Sequence, residues 1–451
     1  MGDGVIFSFE DIIIGGIYLV LILILAFVIR TFNNDNPEYR WFMPNVFFKL
    51  GMGLFFAFTF KFILPYGGDT EAYWQGAVNL NNLFFESLKT FLNELMTTPS
   101  ISTYRINFNY DTGYPPTWIY VAPGSFVISK IAGVLSIITF NSYLATTLIF
   151  SFFISLASFR FYQLISRFKI CNEKILLLAT MFIPTVAFWT SGLGKDTIIL
   201  ASFYFLLYHL FAVFDEQRRF TFRNLIIVLF YAWLLYSIRP FMLAAIGPPI
   251  LLGFVLGYAN NIRSVFLRGV SRFFIIGTSV FVIGGFFSGL NLPLVSADKY
   301  LEEAAVKQKD FTINETYGGP RYDIGITEYT PQGMLSVAPN SVIAALYRPY
   351  LWEAQGPLLL MSGIESLVLL FLTYRFFFRN GNIRKHLSFV FNQEILVFSI
   401  VFFIFFGFFV GFTAGLYNVL VRFKAPLLPF FILFLAASRN PKMIKSKKLK
   451  Q

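Results

Sequence analysis

Asp69 and Glu71 stand in the stretch Tyr66-Gly67-Gly68-Asp69-Thr70-Glu71-Ala72-Tyr73-Trp74, directly after a hydrophobic segment. The stretch combines two carboxylates with three aromatic rings. Acids in such a place serve as a general base for an acceptor hydroxyl, or ligate a divalent cation that neutralises a diphosphate leaving group. Two residues apart, they would share one face of a strand or converge in a turn, which the Gly67-Gly68 pair permits. The plainer alternative is a solvated loop with interfacial aromatics.

A second group sits in Ser191-Gly192-Leu193-Gly194-Lys195-Asp196, a connection so short that Lys195 and Asp196 have little freedom. Lys195 suits a lipid phosphate and Asp196 a catalytic role; a salt bridge or a helix N-cap is the structural alternative. The Gly-x-Gly-Lys spacing is not that of a phosphate loop, and no strand precedes it. Three arginines, Arg239, Arg348 and Arg422, fall at the ends of apolar segments. A guanidinium fork grips diphosphate oxygens bidentately, so these are candidate substrate ligands. The alternatives are snorkelling to headgroups, or pairing with Glu353 and Asp196. Glu353 joins them in Tyr347-Arg348-Pro349-Tyr350-Leu351-Trp352-Glu353-Ala354. Glu365 lies inside an apolar run, where an ionisable group is functional unless a neighbouring helix hydrogen-bonds it. Tyr73, Trp74 and Trp118 are rings on which sugar faces could stack.

The elements that carry these residues are membrane helices. Of 451 residues, 56% are apolar and 13% charged, and mean hydropathy is +0.65, values outside the range of a soluble globule. Apolar runs recur at 11–29, 43–64, 141–164, 175–191, 197–214, 223–238, 241–259, 272–290, 357–377, 394–414 and 425–438, predicting eleven crossings. The net charge of +12 is concentrated in short loops and in the tail 442–450, as the positive-inside rule expects, and does not indicate nucleic acid. Cys171 is the single cysteine, so no intramolecular disulfide exists. The first apolar segment is too long for a signal h-region and reads as retained.

Residues 118–140 tempt a twelfth crossing, but that would turn every later basic loop outward. With Pro115, Pro116 and Pro123 around its start and Lys130 in its middle, the segment reads as a juxtamembrane or re-entrant helix. The expectation is therefore an all-α polytopic protein, one transmembrane domain over 1–451, with the N-terminus external and the C-terminus cytoplasmic. Two long external loops follow: 65–140, including the juxtamembrane helix, and 291–356, a small cap. An amphipathic stretch within 83–95 could lie in the membrane interface.

This arrangement resembles the GT-C type of polytopic glycosyltransferases, and among them bacterial surface-polysaccharide polymerase-like proteins. The resemblance rests on the acid pair Asp69 and Glu71 followed by a helix entered through Tyr114-Pro115-Pro116-Thr117. Three further segments carry it: Phe188 to Asp196, Tyr347 to Ala354, and Val421-Arg422-Phe423-Lys424. The chain departs from the pattern in an extra N-terminal helix and in acids spaced Asp-Thr-Glu. The resemblance implies a bacterial inner-membrane enzyme with an external active site, a polyprenyl-phosphate-linked sugar donor and a glycan acceptor. Asp69 would then be base or metal ligand, Glu71 its helper, and the Arg and Lys groups the clamp on the lipid diphosphate. Metal use stays open: a divalent cation, Mg or Mn, held by Asp69 and Glu71, or a cationic clamp in its place. Two other classes compete, a transporter or flippase of a lipid-linked or anionic glycan, and a non-catalytic envelope scaffold.

Overall fold

The structure, a computed structural model, describes residues 6–64, 68–214, 221–260, 297–314, 318–379, 387 and 389–437. The expected crossing 272–290, the basic tail, Tyr66 and Gly67 lie outside the described residues. Among the described residues every regular element is helical, and the β-type pairing is a bridge between Arg321 and Leu416. Six helices among the described residues are long and apolar enough to cross a membrane: Phe9–Phe32, Pro37–Ile63, Tyr143–Phe168, Glu173–Ser191, Pro357–Phe378 and Glu394–Thr413. A seventh is counted if Tyr417–Phe423 and Leu428–Ala436, bent by 66°, form one broken span.

Helix length thus supports fewer crossings than the eleven expected from hydropathy. Lys195–Leu210 has 16 residues and Phe222–Ile238 has 17. At 1.5 Å per residue each reaches roughly 25 Å, short of a hydrocarbon layer about 30 Å thick. Pro240–Asn260 carries Pro248 and Pro249 inside it.

Two compact units make up the chain: Met1–Gln163 with Ala187–Pro240, and Leu164–Val186 with Phe241–Gln451. In the first, the polar stretch expected as a long loop is largely helical, as Gly68–Glu86, Leu88–Met96, Ile101–Asn107 and Thr117–Tyr120. Local chemistry starts these helices. Ser87 caps the Leu88–Met96 helix by accepting from the Thr90 amide, and Ser100 and Thr103 form a reciprocal capping box. Leu88–Met96 turns Leu88, Leu92 and Met96 outward while Phe91 and Glu94 point inward. Glu94 accepts from the Tyr120 hydroxyl (2.9 Å) and from the Asn107 side chain.

The segment expected to be juxtamembrane is the helix Pro123–Ile138, 16 residues long and outside the set of candidate spans. It packs along Gly68–Glu86 at small residues: Ser129 donates to the Tyr73 carbonyl (3.0 Å), and a Cβ on Gly76 would stand 2.7 Å from the Ser129 oxygen. Lys130, unexpected in an apolar helix, donates to the carbonyls of Thr97 (2.7 Å) and Leu95 (3.3 Å). It therefore satisfies the carbonyl end of Leu88–Met96, where a cation is favoured. Burial lowers the basicity of this amine below that of an exposed lysine.

The N-terminal helix Phe9–Phe32 is fixed at its start. Ser8 caps it, and Asp11 accepts from the Phe7 amide (2.8 Å), the Ser142 hydroxyl (2.6 Å) and the Leu144 amide (3.0 Å). In the second unit, Ala338–Tyr347 crosses Glu394–Thr413 at Gly411, where a Cβ would lie 1.8 Å from the Ser341 carbonyl oxygen. Only glycine allows that approach.

Candidate functional site

The acid pair of the first unit lies in the first turn of Gly68–Glu86. It is neither on a strand nor in a loop. At 3.6 residues per turn, a two-residue spacing sets side chains about 200° apart, so Asp69 and Glu71 do not share a face. Negative charge at this end is favoured by the helix dipole. Asp69 is half-buried and Glu71 exposed. The helix begins at Gly68, whose φ of 55° is a left-handed conformation, and a Cβ there would stand 2.6 Å from the Phe60 ring. Conformation and space both demand glycine.

Thr70, between the acids, is the residue that ties them to the second group. Its hydroxyl donates to the Leu193 carbonyl (2.8 Å) and is also bonded to the Tyr143 hydroxyl (3.0 Å). The start of the acid-bearing helix is thereby held against the turn that leads into Lys195 and Asp196. That turn is itself tightly seated: a Cβ on Gly192 would come 2.0 Å from the Phe56 ring. Ser151 donates to the Ser191 carbonyl, and Thr197 to that of Gly192.

Asp196 sits in the first turn of Lys195–Leu210 and pairs with Arg239 at 3.1 Å, both buried. Arg239 is the C-cap of Phe222–Ile238 and is followed by Pro240, which ends the helix. Of the alternatives open in the sequence for these two residues, the ion pair is the one observed. Lys195 is half-buried beside it.

The aromatic candidates divide. Tyr73 and Trp74 are each 2% exposed, with Trp74 edge-on to Tyr143 at 5.7 Å, so both rings are core rather than platforms for a sugar. Trp118 is exposed, in the short helix Thr117–Tyr120.

In the second unit Arg348 pairs with Glu353 at 3.5 Å. Its guanidinium lies over the rings of Tyr350 (5.7 Å) and Tyr322 (5.8 Å). Tyr322 is set by its amide donating to the Gly415 carbonyl (3.0 Å), its hydroxyl donating to that of Gly411 (2.8 Å), and a stack on Tyr417. Burial pushes the Tyr322 phenol well above its ordinary range, so it remains a neutral donor. Lys424, 1% exposed, donates to the Arg348 carbonyl (2.7 Å) and to the Ser366 hydroxyl (3.4 Å). Arg422 is half-buried in the last turn of Tyr417–Phe423. Glu365 accepts from the Thr185 amide (2.8 Å) and its hydroxyl, capping the start of Pro184–Ser191. This is the neighbouring-helix alternative for an intramembrane acid.

Among the described residues no three His, Cys, Asp or Glu side chains come together as a metal-holding group. The positions that organise both clusters without having been candidates are Thr70, Tyr322 and Lys424. A lone lysine in the apolar run 417–436 was a readable signal for the last; threonine and tyrosine are too common in such segments to stand out. No protein-family model, curated protein or solved structure matches this chain.

Proposed function

We propose that this protein is a membrane glycosyltransferase or polysaccharide polymerase, acting on a polyprenyl-(di)phosphate-linked sugar donor and a glycan acceptor at the external face of a bacterial inner membrane. The observation that carries the reading is the Thr70 to Leu193 bond, which brings a half-buried aspartate at a helix start next to the turn bearing Lys195 and the Asp196–Arg239 pair. An acid beside fixed cations is what transfer from a lipid diphosphate requires: the acid deprotonates the attacking sugar hydroxyl and the cations neutralise the departing phosphate.

Asp69 is the proposed base, acting without Glu71, which the helix turns to another face, and Asp196 holds Arg239 in place. In the first unit Lys195 and Arg239 are the proposed substrate ligands, with Trp118 as an aromatic contact; in the second unit Arg348, Glu353 and Arg422 are proposed for the same kind of role. Any Mg or Mn ion would be bound by Asp69 together with phosphate oxygens of the substrate, because Glu71 points elsewhere on the helix. The proposed topology keeps eleven crossings, the helices of 16 and 17 residues among them, with the N-terminus external and the C-terminus cytoplasmic.

Asp69→Asn tests the assignment in membranes of the producing cell supplied with radiolabelled nucleotide sugars. The expected result is loss of labelled polymer with unchanged insertion and thermal unfolding; full product from this variant defeats the reading. A second reading, transport of a lipid-linked or anionic glycan, draws on the span broken by 66° with buried Lys424 at the break. Movement of label across the membrane without new glycosidic linkages decides for it.

A further inference from the structure

We propose that the turn Tyr350 to Glu353 is a saccharide-binding platform, on which a pyranose ring of a soluble glycan acceptor lies flat against Trp352 while Arg348 and Glu353 bond its hydroxyls. The proposal rests on the glycosyltransferase reading only for the role of the bound chain as acceptor. Trp352 is 80% exposed, yet it is not a loose side chain. Its ring stacks on Tyr350 with centroids 5.0 Å apart and planes 20° from parallel, which leaves the opposite indole face open.

Everything beneath that face is fixed. The Glu353 amide donates to the Tyr350 carbonyl (2.9 Å), and the Tyr350 amide donates back to the Glu353 carboxylate (2.9 Å), closing the turn on itself. The guanidinium of Arg348 lies over Tyr350 and is paired to Glu353, and Lys424 anchors the Arg348 backbone from within the core. A platform whose rotamers are set in advance loses little entropy when a ligand arrives.

The chemistry of the rim selects the ligand. A pyranose presents a flat C–H face and an edge of hydroxyls that both donate and accept. Here a flat apolar ring adjoins a guanidinium, which only donates, and a carboxylate, which only accepts. The side chains of Arg348 and Glu353 are 28% and 18% exposed, so their outer edges reach solvent. Insertion of the same turn into lipid would carry an ion pair into an apolar phase and set a carboxylate among anionic headgroups, both unfavourable.

The test uses the full-length protein in nanodiscs of phosphatidylcholine and phosphatidylglycerol, titrated with maltohexaose, chitohexaose and hexagalacturonate by saturation-transfer NMR. At least one hexasaccharide is expected to bind. Trp352→Ala should weaken it about tenfold and Trp352→Phe much less, because the phenyl ring keeps a stacking face. Thermal unfolding should not change, given the exposure of the side chain. The proposal is overturned by absence of binding to all three sugars or by Trp352→Ala binding as wild type. Quenching by brominated lipid of the fluorescence that Trp352→Phe removes also overturns it, since the ring then belongs to the bilayer. Binding is read without turnover. Intact binding with no synthesis therefore counts against the enzyme reading alone, and Asp69-dependent synthesis without binding counts against the platform alone.

Discussion

Asp196 and Arg239 are each less than a tenth exposed in their side chains and sit 3.1 Å apart, so each is the other's compensation for leaving water. Removing one charge of a buried pair is costly: Asp196→Asn should lower stability by about 3–5 kcal/mol. The double change Asp196→Asn with Arg239→Gln should recover most of that loss. Detergent-solubilised thermal melts check both, and a single variant as stable as wild type would mean that the charge is solvated. The sequence brought these two residues into view because one sits in a short connection and the other at the end of an apolar segment, and it left their pairing open as one of several outcomes. It failed for Tyr73 and Trp74, because whether a ring faces water depends on helix phase, and the helix they ride on was taken for a loop. Thr70 carried no signal, since the worth of a hydroxyl depends on the carbonyl it meets 123 residues away.

The turn between Pro184–Ser191 and Lys195–Leu210 offers a matched pair of glycines. Gly192 is pressed against Phe56, with 2.0 Å available where a Cβ would stand, whereas Gly194 has nothing within 4 Å and an extended φ of −174°. Gly192→Ala should force the turn off its seat, lower stability by about 1–3 kcal/mol and reduce polymer synthesis, while Gly194→Ala should behave as wild type. Equal behaviour of the two in melts and synthesis would show that the turn is not held as described. The same physics explains the misread 65–119 stretch. Gly68–Glu86 hides polar side chains: Asn79 and Asn81 are buried, and Asn79 donates to the Thr112 carbonyl (3.0 Å). A helix that buries amides has the composition of a loop. Pro123–Ile138 was legible, because prolines and a lysine in an apolar run mark a segment that packs on protein rather than lipid.

Charge asymmetry in the loops predicts an orientation, and the chain supplies its own clean background for mapping it. Burial pushes the Cys171 thiol up to about 12, so at neutral pH it stays protonated and unreactive. Tyr110→Cys, at a position 94% exposed, should therefore react with a membrane-impermeant maleimide on intact cells, and Asn34→Cys only after permeabilisation. The reverse pattern would invert the topology and remove the proposed site from the external face. Membrane class and helical architecture were plain from composition, but the number of crossings was not, because hydropathy reports apolarity while helix length is set by breaks such as Pro240 and the turn at 424–427. The Asp11 clasp has a consequence for biosynthesis. Beyond the local Phe7 amide its partners are Ser142 and Leu144, the first of them 131 residues downstream, so during translation at about 5–20 residues per second the first helix waits on the order of ten seconds before its carboxylate gains a tie to a distant helix. For that interval the newborn helix holds its place by hydrophobicity alone, which makes it the step at which an insertase or chaperone has most to contribute.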